Sequence, residues 1–147
     1  MKRWLIRLIL VGAVVFVLIQ FVPYGRAHDN PPVTQTVEWE GVRTEQLFDD
    51  ACADCHSNET EWPWYSNVAP QSWLVQRDVD AGRADMNSSE LDREQEEIKD
   101  LIEVTADDEM PPLRYTFLHP EARLSNAETQ ALIDGIARTF GGEVDQD

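Results

Sequence analysis

After residue 43 the apolar positions of the chain recur with a helical period, and no stretch shows the apolar/polar alternation of a strand. The first predicted helix begins near Thr44 and leads directly into Cys52. A second helix opens at Pro70, since proline suits the first position of a helix, and stops at Gly82. The two are separated by an aromatic stretch with no helical pattern.

Two more helices are predicted downstream. The third starts at Ser88 or Ser89 and ends before the proline pair that follows Met110, because proline cannot continue a helix. Its apolar face comprises Leu91, Ile98, Leu101 and Ile102, and its solvent face comprises Glu94, Glu96, Glu97 and Lys99. In the last helix, Ser125 and Glu128 form a capping box, the apolar face comprises Leu132, Ile133, Ile136 and Phe140, and Gly141 is the stop. The pattern predicts an all-α domain.

The N-terminal segment differs from the rest of the chain. Residues 8–22 are almost entirely apolar, and Lys2, Arg3 and Arg7 precede them. The run predicts one transmembrane helix, whose basic flank holds the N-terminus in the cytoplasm and exports the domain. A cleaved secretory signal peptide is the alternative. The predicted division is an uncleaved membrane anchor at 1–23, an extended linker at 24–43 and the functional domain at 44–147.

Charge narrows the set of partners. The 147 residues carry 12 Lys and Arg against 28 Asp and Glu, a formal net charge of −16, and no acidic residue precedes Asp29. So acidic a domain repels phosphate backbones, which excludes nucleic-acid binding. A protein partner would need a basic docking patch.

The chemistry concentrates in Cys52-Ala53-Asp54-Cys55-His56, a C-x-x-C-H motif that contains both cysteines of the chain. This spacing is the attachment signature of haem c, with two thioether bonds from Cys52 and Cys55 and His56 as the proximal iron ligand. A thioredoxin-type dithiol, a zinc site and a structural disulfide are the competing interpretations. The first expects a βαβ context, the second needs two more ligands, and the third closes too small a loop to stabilise much.

A second axial ligand would decide between electron transfer and reactivity at the iron. Met110 is favoured, because the prolines after it keep the backbone extended and leave the thioether free to enter a cleft. His119 is the alternative ligand, whereas Met86 and His28 are weaker candidates. Methionine is also a common core residue, and that interpretation of Met110 stays open.

The remaining candidates surround the cofactor. Trp62, Trp64 and Trp73 are expected to line the haem pocket, since large rings cover a macrocycle efficiently. Four cations of the acidic domain could pair with haem propionates or with neighbouring acids: Arg77, Arg83, Arg114 and Arg123.

The chain resembles the bacterial haem-binding domain family, whose members carry C-x-x-C-H in a short membrane-anchored chain. The matching stretches are 23–26, 30–33, 51–64 (ACADCHSNETEWPW), 68–73, 109–112 and 119–124 (HPEARL). The resemblance implies a c-type haem on Cys52, Cys55 and His56 in a compact, cytochrome-c-like helical fold. It also implies that residues 23–26 belong to the mature protein.

Together these observations predict a membrane-tethered c-type cytochrome with one covalent haem that transfers single electrons on the periplasmic side of the cytoplasmic membrane. It would not be an enzyme, because an iron bound by both His56 and Met110 has no open position for a substrate. A peroxidase-type enzyme and a haem-based redox or gas sensor, each with a labile sixth ligand, are the alternatives.

Overall fold

The computed structural model describes residues 2–95 and 98–141, and in these ranges the protein is all-α. The α-helices are α1 (Lys2–Ile19), α2 (Val42–Ala51), α3 (Ala53–His56), α4 (Gln71–Asp85), α5 (Ile98–Ala106), α6 (Leu113–Thr116) and α7 (Asn126–Phe140). Two short 3-10 helices, Trp64–Asn67 and Pro120–Ala122, complete the described part of the chain. Extended backbone pairs there only at one isolated parallel bridge, Gln35 with Glu90.

The prediction of a transmembrane helix is wrong: among the described residues, no helix is both long enough and apolar enough to span a bilayer. Helix α1 has 18 residues, about 27 Å at the usual helical rise, and a bilayer core is about 30 Å thick. Three of these residues, Lys2, Arg3 and Arg7, are basic.

The segment after α1 is joined to the domain by hydrogen bonds. The Gln20 side chain donates to the carbonyl of Ala69 (2.9 Å) and accepts from the Ala69 amide (3.0 Å). Arg26 donates to the Gln20 carbonyl (2.7 Å) and side-chain oxygen (2.9 Å). Residues 20–26 therefore pack with the helices that follow them.

Helices α2 and α7 form the main core. They bury Leu47, Phe48, Leu132 and Ile136, and Gly135 of α7 lets the backbone approach Thr44 of α2 closely. The ends of α7 confirm the prediction: Ser125 and Glu128 form the capping box, and Gly141 adopts a left-handed conformation (φ 71°). Because α2 ends at Ala51, this core fixes the position of Cys52.

Two predicted helix boundaries are wrong. Helix α4 passes through Gly82 and ends at Asp85, because Gly82 serves a close contact between helices instead of a stop. Helix α5 begins at Ile98, since Ser88 and Ser89 form loop hydrogen bonds to the segment after His56. Of the predicted faces of this helix, Glu96, Glu97 and the side chains of Ile98 and Lys99 lie outside the described residues.

Candidate functional site

The C-x-x-C-H motif forms a tight helical turn directly after α2. The Cys52 amide donates the last hydrogen bond of α2, to the Phe48 carbonyl (2.8 Å). The Cys52 carbonyl accepts hydrogen bonds from the amides of Cys55 (3.1 Å) and His56 (2.9 Å). Both cysteines are free thiols. One helical turn thus holds the two thiols and the imidazole.

Helix α4 packs against the helical turn that the motif forms. A side chain at Gly82 would bring its Cβ to 2.6 Å from the Cys55 carbonyl oxygen, so glycine is required for α3 and α4 to come this close. Arg83 donates to the Ser57 carbonyl (2.8 Å), and the Ser88 amide donates to the His56 carbonyl (2.8 Å). The backbone of the motif is therefore fixed at both ends.

The His56 ring is oriented by the main chain. Its Nδ1 donates to the Met86 carbonyl (3.1 Å), which leaves the lone pair of Nε2 free for a metal. Burial lowers the pKa of His56, although the Met86 carbonyl acts in the opposite direction. The ring is thus biased toward the neutral form that ligates metals.

Two largely apolar cavities meet at Cys55. The smaller, about 100 Å³, is lined by Cys52, Cys55, His56 and Met110, together with residues of α4 and α5. The larger, about 220 Å³, extends from Cys55 toward Tyr65, Leu74 and His119. Six residues line both: Asp54, Cys55, Asp78, Pro112, Arg114 and Tyr115.

The two candidates for the second axial ligand differ in their surroundings. The Met110 side chain is 37% exposed and shares the smaller cavity with both cysteines and His56. His119 lies in the larger cavity, but Nε2 is 2.7 Å from the Tyr65 hydroxyl and Nδ1 is 2.9 Å from a Glu121 carboxylate oxygen. With both ring nitrogens engaged by protein groups, the geometry favours Met110.

The weaker candidates have structural roles in the described residues. Met86 is buried and supplies the carbonyl that orients His56. His28 stacks on Trp62 with ring centroids 4.7 Å apart and bonds to Ser66.

None of the three tryptophans lines the two cavities beside Cys55. Trp62 lines a third, open cleft, which also includes Ala53 and Asp54 of the motif, and it bonds to Asn30. Trp64 is 80% exposed, and Trp73 lines neither cavity beside Cys55. The large rings that do line these cavities belong to Tyr65 and Tyr115. Sequence reasoning missed Tyr115, because nothing local distinguishes an inward-facing tyrosine from an exposed one.

Of the four arginines, Arg114 alone lines the cavities, where it forms a two-point ion pair with Asp78 (2.9 and 3.0 Å). Arg83 and Arg123 are committed to backbone carbonyls, and Arg77 lies outside both linings. Of these four arginines, Arg114 is therefore the one that lies at the cavities, with its charge already paired to Asp78.

Burial controls the reactivity of the thiols. Desolvation, aided by neighbouring negative charges, raises the pKa of Cys52 and of Cys55 from 9.0 to about 12. Both sulfurs are therefore protonated at neutral pH in the folded, cofactor-free chain.

The comparison with known proteins agrees with this donor set. A family model described as a haem-binding domain matches residues 14–138. No curated protein and no solved structure matches the chain. The match confirms the resemblance to haem-binding domain proteins.

The raised thiol pKa predicts slow alkylation. At about pH 8.5, iodoacetamide should modify Cys52 and Cys55 at least a hundredfold more slowly in the folded, cofactor-free protein than in urea, because the thiolate fraction falls by about three orders of magnitude. Since the folded pKa lies above the unfolded one, the associated stability is complete below pH 9.0 and declines as pH rises to about 12. Equal rates in both states would contradict this assignment.

Proposed function

Since the chain belongs to the haem-binding domain family, we propose that it carries one covalent haem c and transfers single electrons. The attachment residues are Cys52 and Cys55, with His56 as the proximal ligand and Met110 as the distal ligand. The observation that supports this proposal best is that all four side chains line one cavity, in which the main chain orients His56.

The residues present fit this group. Free thiols three residues apart on a helical turn can form two thioether bonds to one porphyrin, and the neighbouring imidazole is neutral and oriented. The adjoining cavity presents apolar side chains such as Leu74, Val75 and Val79 to a macrocycle, and Arg114 lies at its edge. When bound, haem supplies an iron that gains and loses one electron.

Electron transfer is favoured over an enzymatic role because the thioether of Met110 would complete the coordination of the iron and raise its reduction potential. A peroxidase-type enzyme would need an open sixth position and a free proton donor. His119, the candidate donor, is hydrogen-bonded at both ring nitrogens and stacked on Tyr115.

The proposed partner is a redox protein with a basic patch, which complements the formal charge of −16. The proposed location of the domain is the periplasmic side, since covalent haem attachment in bacteria normally takes place outside the cytoplasm.

Covalent attachment is tested by producing the chain in a host that matures c-type cytochromes. The purified protein should gain the mass of one haem, give the pyridine haemochrome spectrum of a c-type haem, and keep its colour after acid-acetone extraction. The Cys52→Ala/Cys55→Ala variant should lose the group on extraction. A colourless wild type with two alkylatable thiols would refute the proposal.

The ligand assignment is tested by Met110→Leu, which keeps the side-chain volume and removes the sulfur. The ferric variant should lose its far-red thioether-to-iron band and show a lower reduction potential. It should also bind imidazole at least about tenfold more tightly, because in the wild type Met110 would occupy the sixth position of the iron for more than about 90% of the time and compete with imidazole. Leu113→Ala, which changes an exposed side chain of the same segment that lines neither cavity, is the control and should behave as wild type. High-spin wild-type iron, or an altered spectrum in His119→Ala alone, would contradict the assignment.

The electron-transfer role is tested with a small basic cytochrome c as acceptor. Raising the ionic strength from about 0.01 to 0.2 M should lower the second-order rate constant at least about tenfold, because salt screens the attraction between opposite charges. An acidic acceptor should show the opposite trend. A rate with the basic acceptor that is independent of salt would exclude docking on the acidic surface.

A further inference from the structure

Asp54, the third residue of the C-x-x-C-H motif, connects this turn to the segment that carries Met110. One carboxylate oxygen accepts a hydrogen bond from the Tyr115 hydroxyl at 2.8 Å, and the other accepts from the Glu61 amide at 2.8 Å. The Asp54 carbonyl also accepts from the Thr60 hydroxyl (2.7 Å). Two hydrogen bonds besides that from Tyr115 therefore hold Asp54 in place.

Tyr115 is the inward-facing anchor of α6. Its neighbours Leu113 and Phe117 are 84% and 73% exposed, whereas its own ring is half-buried and stacks on His119 with centroids 4.2 Å apart and planes 12° apart. Only four residues separate it from Met110, and two of them are prolines of fixed φ. A displacement of the Tyr115 ring is thus transmitted to Met110 through a short, stiff piece of chain.

The hydrogen-bonded side chains of Asp54 and Tyr115 lie where three cavities adjoin. Asp54 and Tyr115 line both cavities at Cys55 and also a third, open cleft of about 810 Å³, whose lining includes Glu45, Asp49 and Glu59. The hydrogen bond therefore lies between an open cleft with acidic lining residues and the two largely apolar cavities.

We infer that Tyr115 is a positioning residue: its hydrogen bond to Asp54 holds the 110–115 segment over the C-x-x-C-H turn and keeps Met110 beside the iron. This inference rests on the proposed function. Tyr115 itself does not ligate, and the hydrogen bond acts through the position of Met110.

Tyr115→Phe removes the hydroxyl and keeps the ring that stacks on His119. In the haem-loaded full chain, the ferric variant should bind imidazole about three- to tenfold more tightly and show a weaker far-red thioether band, because Met110 spends more time away from the iron. Tyr24→Phe is the matched control: it also loses a tyrosine hydroxyl, but Tyr24 lines neither of the cavities at Cys55. Its imidazole affinity should equal that of wild type.

A double-mutant cycle separates the hydrogen bond from general loosening of the fold. Asp54→Ala should reproduce the effect of Tyr115→Phe, the double variant should be no worse than either single variant, and Asp54→Asn, which keeps an acceptor oxygen, should restore most of the wild-type affinity. Additive effects, or equal effects of Tyr115→Phe and Tyr24→Phe, would overturn the inference and leave the proposed function standing. If Met110→Leu left the spectrum unchanged, the ligand assignment would fail first.

Discussion

The hydrogen bond from His56 to the Met86 carbonyl is the contact on which the site depends. Without it the imidazole could rotate, and either nitrogen could face the cavity. Its acceptor is well fixed, because Met86 lies buried at the end of α4, the helix that Gly82 brings against the Cys55 backbone. A main-chain acceptor has the further advantage that no single side-chain substitution removes it.

Burial and charge act together at the motif. Apolar surroundings and nearby carboxylates keep both thiols protonated, so the folded, cofactor-free chain resists the thiolate chemistry that scrambles or oxidises exposed cysteines. The same conditions slow the addition of the thiols to any acceptor once the fold is complete. The proposed attachment of haem would therefore be faster before the fold is complete.

Much of the fold could be predicted from local sequence. The capping box at Ser125 and the left-handed Gly141 delimit α7 because each acts within a few residues. Gly82 shows the limit, since the contact that requires a glycine comes from Cys55, which is distant in the chain. The same limit applies to the site: C-x-x-C-H identified the proposed attachment residues, but the hydrogen bonds of Tyr115 to Asp54 and of Tyr65 to His119 depend on which faces meet.

The attachment of Gln20 to Ala69 bears on how the chain can be processed. The Gln20 side-chain amide hydrogen-bonds to both the amide and the carbonyl of Ala69, as the backbone of a neighbouring strand would. Arg26 donates a hydrogen bond to the side-chain oxygen of Gln20. A peptidase that cut after Ala27 would strip away this entire arrangement and orphan a donor and an acceptor in the mature domain. The hydrogen bonds that Gln20 makes beside the start of α4 are therefore kept only when residues 20–27 remain attached to the domain.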